Sequence, residues 1–198
     1  MPQFGLKGMY AAKYVNTGGS ISYTNKQHIG DAMNANIELR YAEGRLYAED
    51  ALAEYMRKAV GGTISLGVKY IPTLAQQLLF SMRTKNRSIT YLSGATTTTS
   101  TATSVVLGGH DEGVYVGVAF YAPDMVDGVK KYTCVLIKKA LFGPPSMSLQ
   151  TAGENIQFNT PTTSGEFLAD DSTDEDLFEI AIVDTENAAK AWVSAVLA

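Results

Sequence analysis

The sequence predicts a mainly β protein, an antiparallel sandwich or barrel with one or two short flanking α-helices. Three observations carry that reading. Apolar and polar residues alternate over 33–41, 63–71 and 154–160, the period of strands with one buried face. Eighteen glycines and many threonines favour turns and strands over long helices. Helix start signals stand in two short windows, one after Pro72 and one near the last residues. At 198 residues the chain is expected to form one domain, 1–198, burying roughly 70% of its unfolded surface.

In 33–41, Ile37, Leu39 and Tyr41 take one face and Asn36, Glu38 and Arg40 the other. In 63–71, Ile64, Leu66, Val68 and Tyr70 point inward, with Gly61-Gly62 supplying a bend before them. Pro72 suits a first helical turn, where its missing N–H costs nothing, and Leu74 and Leu78 lie one turn apart on the predicted inner face. Residues 93–104, SGATTTTSTATS, have no apolar periodicity. They predict a long exposed loop or extended hairpin within a region spanning 83–112.

Val114 to Tyr121 and Tyr132 to Ile137 are apolar on both faces, and 123–128 has the residues of a turn between them. Such strands lie inside a sandwich or press one face against another subunit. In 154–160, Ile156 and Phe158 oppose Asn155, Gln157 and Asn159 before Pro161 interrupts the ladder. Asp184 or Thr185 caps a last helix running through Val196, with Ala188, Ala191, Trp192 and Ala195 as its apolar stripe.

Composition narrows the function. The net charge of -4 and scattered Lys and Arg leave no basic footprint for gripping phosphates. The single cysteine, Cys134, sits in an apolar run and reads as a buried, inert thiol. No leader-like apolar region opens the chain and no stretch approaches the ~18 apolar residues of a membrane span, so a soluble protein made in a cytoplasm is expected.

The search for chemistry finds little. His28 and His110 are the only histidines, too few for a three-histidine metal site, and both read as exposed loop residues. No serine sits in a nucleophile elbow, and no glycine-rich phosphate loop is present. The acidic run 170–176 offers oxygen ligands for Ca²⁺ but lacks the ligand order and central glycine of an EF-hand loop. Tyr115, Phe120, Tyr121 and Tyr132 lack the positive groove of a nucleic-acid stacking platform. They are expected in the core or at a subunit contact. No catalytic residue, metal or cofactor is predicted.

A set of ordered blocks runs the length of the chain: Gly5-Leu6-Lys7, Leu46 to Glu54, Gly61 to Val68, Tyr115 to Tyr121, Asp127 to Tyr132, Gly153 to Pro161, and Asp184-Thr185-Glu186 to Trp192. With these blocks the chain resembles the major tail tube proteins of siphophages, the family common in phages of Gram-positive hosts. Two segments, 93–104 and 170–176, depart from that pattern.

The resemblance implies a tail-tube type β-sandwich subunit of the virion, assembled in the host cytoplasm. It implies rings, hexameric in the family, stacked into a tube around a tape-measure protein. The tube would be bounded by tail terminator and distal tail proteins, and DNA would transit without specific binding. On that footing Asn36, Glu38, Asn155, Gln157 and Asn159 are expected to face the lumen, and Tyr115, Phe120, Tyr121 and Tyr132 a neighbouring subunit. Thr96, Thr97, Thr98, Thr99 and Thr101 are expected to stack rings. Alternatives are a tail terminator, a head decoration protein or a carbohydrate-binding β-sandwich module using the acidic loop; a metal-dependent hydrolase ranks below them.

Overall fold

A computed structural model describes residues 5–48, 51–146 and 160–198. In chain order the elements are β1 (Lys7–Thr17), β2 (Ser20–His28), β3 (Ala32–Ala48), β4 (Ala51–Val68), α1 (Thr73–Phe80), β5 (Arg83–Ser93) and β6 (Thr96–Val106). They continue with β7 (Val116–Val126), β8 (Val129–Phe142), β9 (Thr162–Leu168), β10 (Phe178–Val183) and α2 (Glu186–Val196). The described residues are mainly β with two short helices, as the alternating patterns predict. Every strand pair is antiparallel.

The main sheet runs β2-β1-β7-β8-β9-β4-β3, and β5–β6 forms a separate two-stranded sheet. β8 is shared between two neighbours on its second edge. Tyr132–Ile137 pair with β10, and Lys139–Phe142 pair with β9. The sheet folds over so that Met9 and Val118 share a core with Ile64, Leu66 and Phe167 from the opposite layer, which is a sandwich. α1 closes this core with Ala75, Leu78, Leu79 and Phe80. Leu74, expected inward, is exposed, because the residues that meet the sheet lie one position further round the helix.

Gly61-Gly62 does not bend the chain before a strand. The pair sits inside the 18-residue β4, beside a bulge where Arg40 pairs with Gly61 and Tyr41 with Ala59. A side chain at Gly62 would overlap the Glu38 carbonyl oxygen and the Phe167 ring, so glycine is what lets Phe167 seat in the core. Ile64, Leu66 and Val68 are buried as expected. Tyr70 lies beyond the strand end and is exposed.

β7 likewise continues through Pro123 to Val126, leaving only Asp127-Gly128 as the turn. Proline is tolerated there because the pairing with β1 has ended at Lys7↔Tyr121, so no described ladder bond on that side calls on its missing N–H.

The second face of β7 and β8 is covered by α2. Ala189, Val193 and Leu197 pack on Ala119, Tyr121, Cys134 and Leu136. The predicted stripe of Ala188, Ala191 and Ala195 instead faces solvent, since the larger Val193 and Leu197 bury more apolar area on the adjacent face. Thr185 is the N-cap, its hydroxyl accepting from the Ala188 backbone N–H at 3.1 Å. No described helix is long and apolar enough to cross a membrane.

Candidate functional site

The Ser/Thr-rich region is a hairpin whose eleven pairs run from Arg83↔Val106 to Ser93↔Thr96. A two-residue turn with positive φ at Gly94 closes it, a conformation glycine takes without strain. At ~3.4 Å per residue the arm is roughly 35 Å long. All of β5 is exposed. One face reads Arg83, Lys85, Arg87, Ile89 and Tyr91. The other is a hydroxyl ladder in which the Thr90 and Thr99 hydroxyls lie 3.1 Å apart and Thr103 donates to Asn86 at 3.0 Å. Thr97, Thr99 and Thr101 stand on this ladder, and Thr96 and Thr98 on the first face.

The β3–β4 hairpin makes a second arm beyond its bulge. On one face, the Arg57 guanidinium lies 3.7 Å from the Tyr41 ring centroid, and Glu43 is 3.5 Å from Arg57 and 3.7 Å from Arg45. Gly44 and Leu46 share the other face with Met56, and Leu46 and Met56 are exposed. Isolated two-stranded ribbons are at best marginally stable in water.

A third surface is the outer face of β3, β4 and β9. Register aligns Asn36, Ser65 and Ser164 in one row and Glu38, Thr63 and Glu166 in the next. Asn36 donates to Glu38 at 2.9 Å. Arg40, the cation beside these rows, lies 3.7 Å from Glu166. Asn36 and Glu38 are therefore exposed on a polar, cation-poor face. Asn155, Gln157 and Asn159 lie outside the described residues.

The aromatic residues expected at a subunit contact need correction. Phe120 is buried in the main core, while Tyr121 and Tyr132 pack edge to face beneath α2. Tyr121 donates to Glu186 at 3.1 Å. Burial first, and then that carboxylate, push its hydroxyl up to about 12. The second apolar face of β7 and β8 thus belongs to this chain's own helix. Only Tyr115, 37% exposed with the Lys139 ammonium 5.0 Å from its ring, remains open to a neighbour.

The acidic loop is pinned by lysines of β8. Asp170 accepts from the backbone N–H groups of Ser172 and Asp176, at 3.2 and 3.0 Å, and pairs with Lys138 at 3.2 Å. Burial raises its carboxyl, but the Ser172 and Lys138 hydrogen bonds outweigh it, and the net shift is downward. Asp171 pairs with Lys139 at 2.6 Å and accepts from the Tyr14 hydroxyl at 2.9 Å.

Among the described residues no group of three or more His, Cys, Asp or Glu is arranged to hold a metal ion. His28 is not a loop residue but ends β2, its ring packed edge-on to Tyr10. His110 is in an exposed turn. Cys134 is fully buried, which pushes its thiol up to about 11. A groove of about 300 Å³ beside α1 is lined by Lys13, Gln77 and Ser81, with no titratable partner for Lys13 among its lining residues. No family model matches the chain, and no curated protein matches it.

Proposed function

We propose that the chain is a structural subunit of a homopolymeric tube, the major tail protein of a long-tailed phage, made in the host cytoplasm and resident in the virion tail. The observation that carries this reading is the pair of projecting hairpin arms, whose exposed Leu46, Met56, Ile89 and Leu92 have no cover from the described body. Surfaces of this kind suit association with further copies. Ring closure needs one face of a subunit to meet a different face of the next, and two dissimilar arms provide unlike surfaces.

In this reading the hydroxyl ladder with Thr97, Thr99 and Thr101 contacts the adjacent ring. The Asn36/Glu38 face lines the lumen, where scarce positive charge limits salt-dependent holding of phosphates. The tape measure would occupy that lumen during assembly, and tail terminator and distal proteins would bound the tube. The subunit performs no reaction.

Negative-stain microscopy with mass photometry over rising protein concentration tests the proposal. Uniform rings or hollow tubes are expected. A chain that stays monomeric up to its solubility limit refutes it.

A further inference from the structure

Two incomplete edges of the fold match each other. β10 is hydrogen-bonded to β8 on one side, and no described strand occupies its other edge. It displays Ile180 and Ile182, 56% and 51% exposed. One residue past the strand end, next in the same alternation, comes Asp184, whose side chain is 83% exposed even with the Lys131 ammonium 3.2 Å away. Among the described strands β5 also pairs with β6 alone, and not with β10 of its own chain.

Laid antiparallel to β10 with Tyr91 opposite Ile180, β5 brings Ile89 opposite Ile182 and Arg87 opposite Asp184. Directly opposed residues share a sheet face, so in one register apolar meets apolar and cation meets anion.

Charge segregation along the chain points the same way. Residues 83–106 contain Arg83, Lys85 and Arg87 and no carboxylate, while no Lys or Arg occurs between Lys139 and Lys190. Arg83 is engaged at the root of the hairpin by Asp111, 3.3 Å away. Lys85 and Arg87 form no ion pair among the described residues, and neither do Asp174 and Glu179, which flank or lie on β10.

We propose that the open edge of β10 seats the β5–β6 hairpin of a second copy of this chain, with β5 added antiparallel in that register. The inference rests on the assembly reading above and names the contact through which it operates. Strand addition supplies main-chain hydrogen bonds to two edges that no described strand pairs, and the Arg87–Asp184 pair fixes the register.

Full-length chains carrying Tyr91→Cys are mixed with chains carrying Ile180→Cys under mild oxidation. Opposed residues in an antiparallel pair lie within disulfide reach, so a crossed dimer is expected. Thr90→Cys, which points to the opposite face, should not cross-link to Ile180→Cys. Separately, Arg87→Glu should raise the concentration for half-assembly roughly tenfold, and adding Asp184→Arg to it should recover most of that loss. Wild-type rings or tubes forming while neither the cross-link nor the charge-reversal effect appears would overturn the edge assignment and leave the assembly reading standing. A wild-type chain that remains monomeric in the same experiment overturns both.

Discussion

Replacing Asp170 with alanine is expected to destabilise the fold by about 3 kcal/mol. The Asp170 side chain is 2% exposed and pairs with Lys138, itself only 18% exposed. Besides that pair it satisfies two backbone N–H groups and the Ser172 hydroxyl. Removing one partner of a buried pair costs about 3–5 kcal/mol, and the lower end applies because Lys138 keeps Asp176. For a chain of this length that corresponds to a Tm lower by about 6–12 °C.

Urea unfolding followed by fluorescence of Trp192, the single tryptophan and half-buried on α2, reads the change as a shift in midpoint at constant slope. Asp174→Ala, which removes no described ion pair, should stay within about 0.5 kcal/mol of wild type. If Asp170→Ala also stays within about 1 kcal/mol, the carboxylate does not pin the loop and the argument fails.

The same site sets a pH signature. The folded Asp170 carboxyl lies below its unfolded value, so its contribution is complete above that value, about 3.9, and is lost as pH falls through the folded pKa. Lys138 is raised: burial pulls its ammonium down, but the hydrogen bonds it donates to Asp176 and Asp170 overcome this. Its contribution is complete below the unfolded value and lost as pH rises through the folded one. Stability from this pair should be flat between about pH 5 and pH 9, and Asp170→Asn should flatten the acid limb.

Thr185→Ala removes the hydroxyl that caps α2 and should cost about 1 kcal/mol in the same urea assay. Gly62→Ala must displace Phe167 or the Glu38 carbonyl and should cost about 1–3 kcal/mol. Replacing 88–101 by Asn-Gly keeps the pair Arg87↔Ala102 at a shortened tip. Monomer stability should change by less than about 0.5 kcal/mol, while ring stacking by microscopy should be lost. Glu38→Lys places a cation between Asn36 and Arg40 and should leave tubes intact but slow DNA release, measured as ejection from assembled tails, with a deficit that shrinks as salt rises.

Much of the body was legible because its strands bury one face. Ile37, Leu39, Ile64, Leu66 and Val68 all face inward as their alternation says, and Pro72 and Thr185 mark where the helices begin. The arms were less legible. Residues 51–58, ALAEYMRK, favour a helix locally, and their strand form comes from cross-strand pairing with 42–48.

The double burial of β7 and β8 could be read from the sequence, but not what covers it: Val193 lies about sixty residues beyond Cys134. Of the candidate surfaces, Asn36 and Glu38 were visible as a polar face. Their partners Thr63, Ser65, Ser164 and Glu166 join them only through register. The Thr-rich run shows in its composition, whereas the basic and apolar alternation of Arg83 to Tyr91 beside it gains meaning only once pairing with β6 sets those residues on one face.

The strand order also separates the molecule in time. β1 meets β7 through Ala12↔Gly117, and β4 meets β9 through Ile64↔Gly165, contacts that each close about a hundred residues of chain. Closing such a loop costs about 2 kcal/mol more than closing a ten-residue one, so the body must assemble through slow, distant encounters. The two hairpin arms need only their own turns, and ribbons of that kind form within about 1–10 μs. The parts of the chain with least hold on the monomer are thus the first that can take shape, and they would stand ready before the body that carries them has closed.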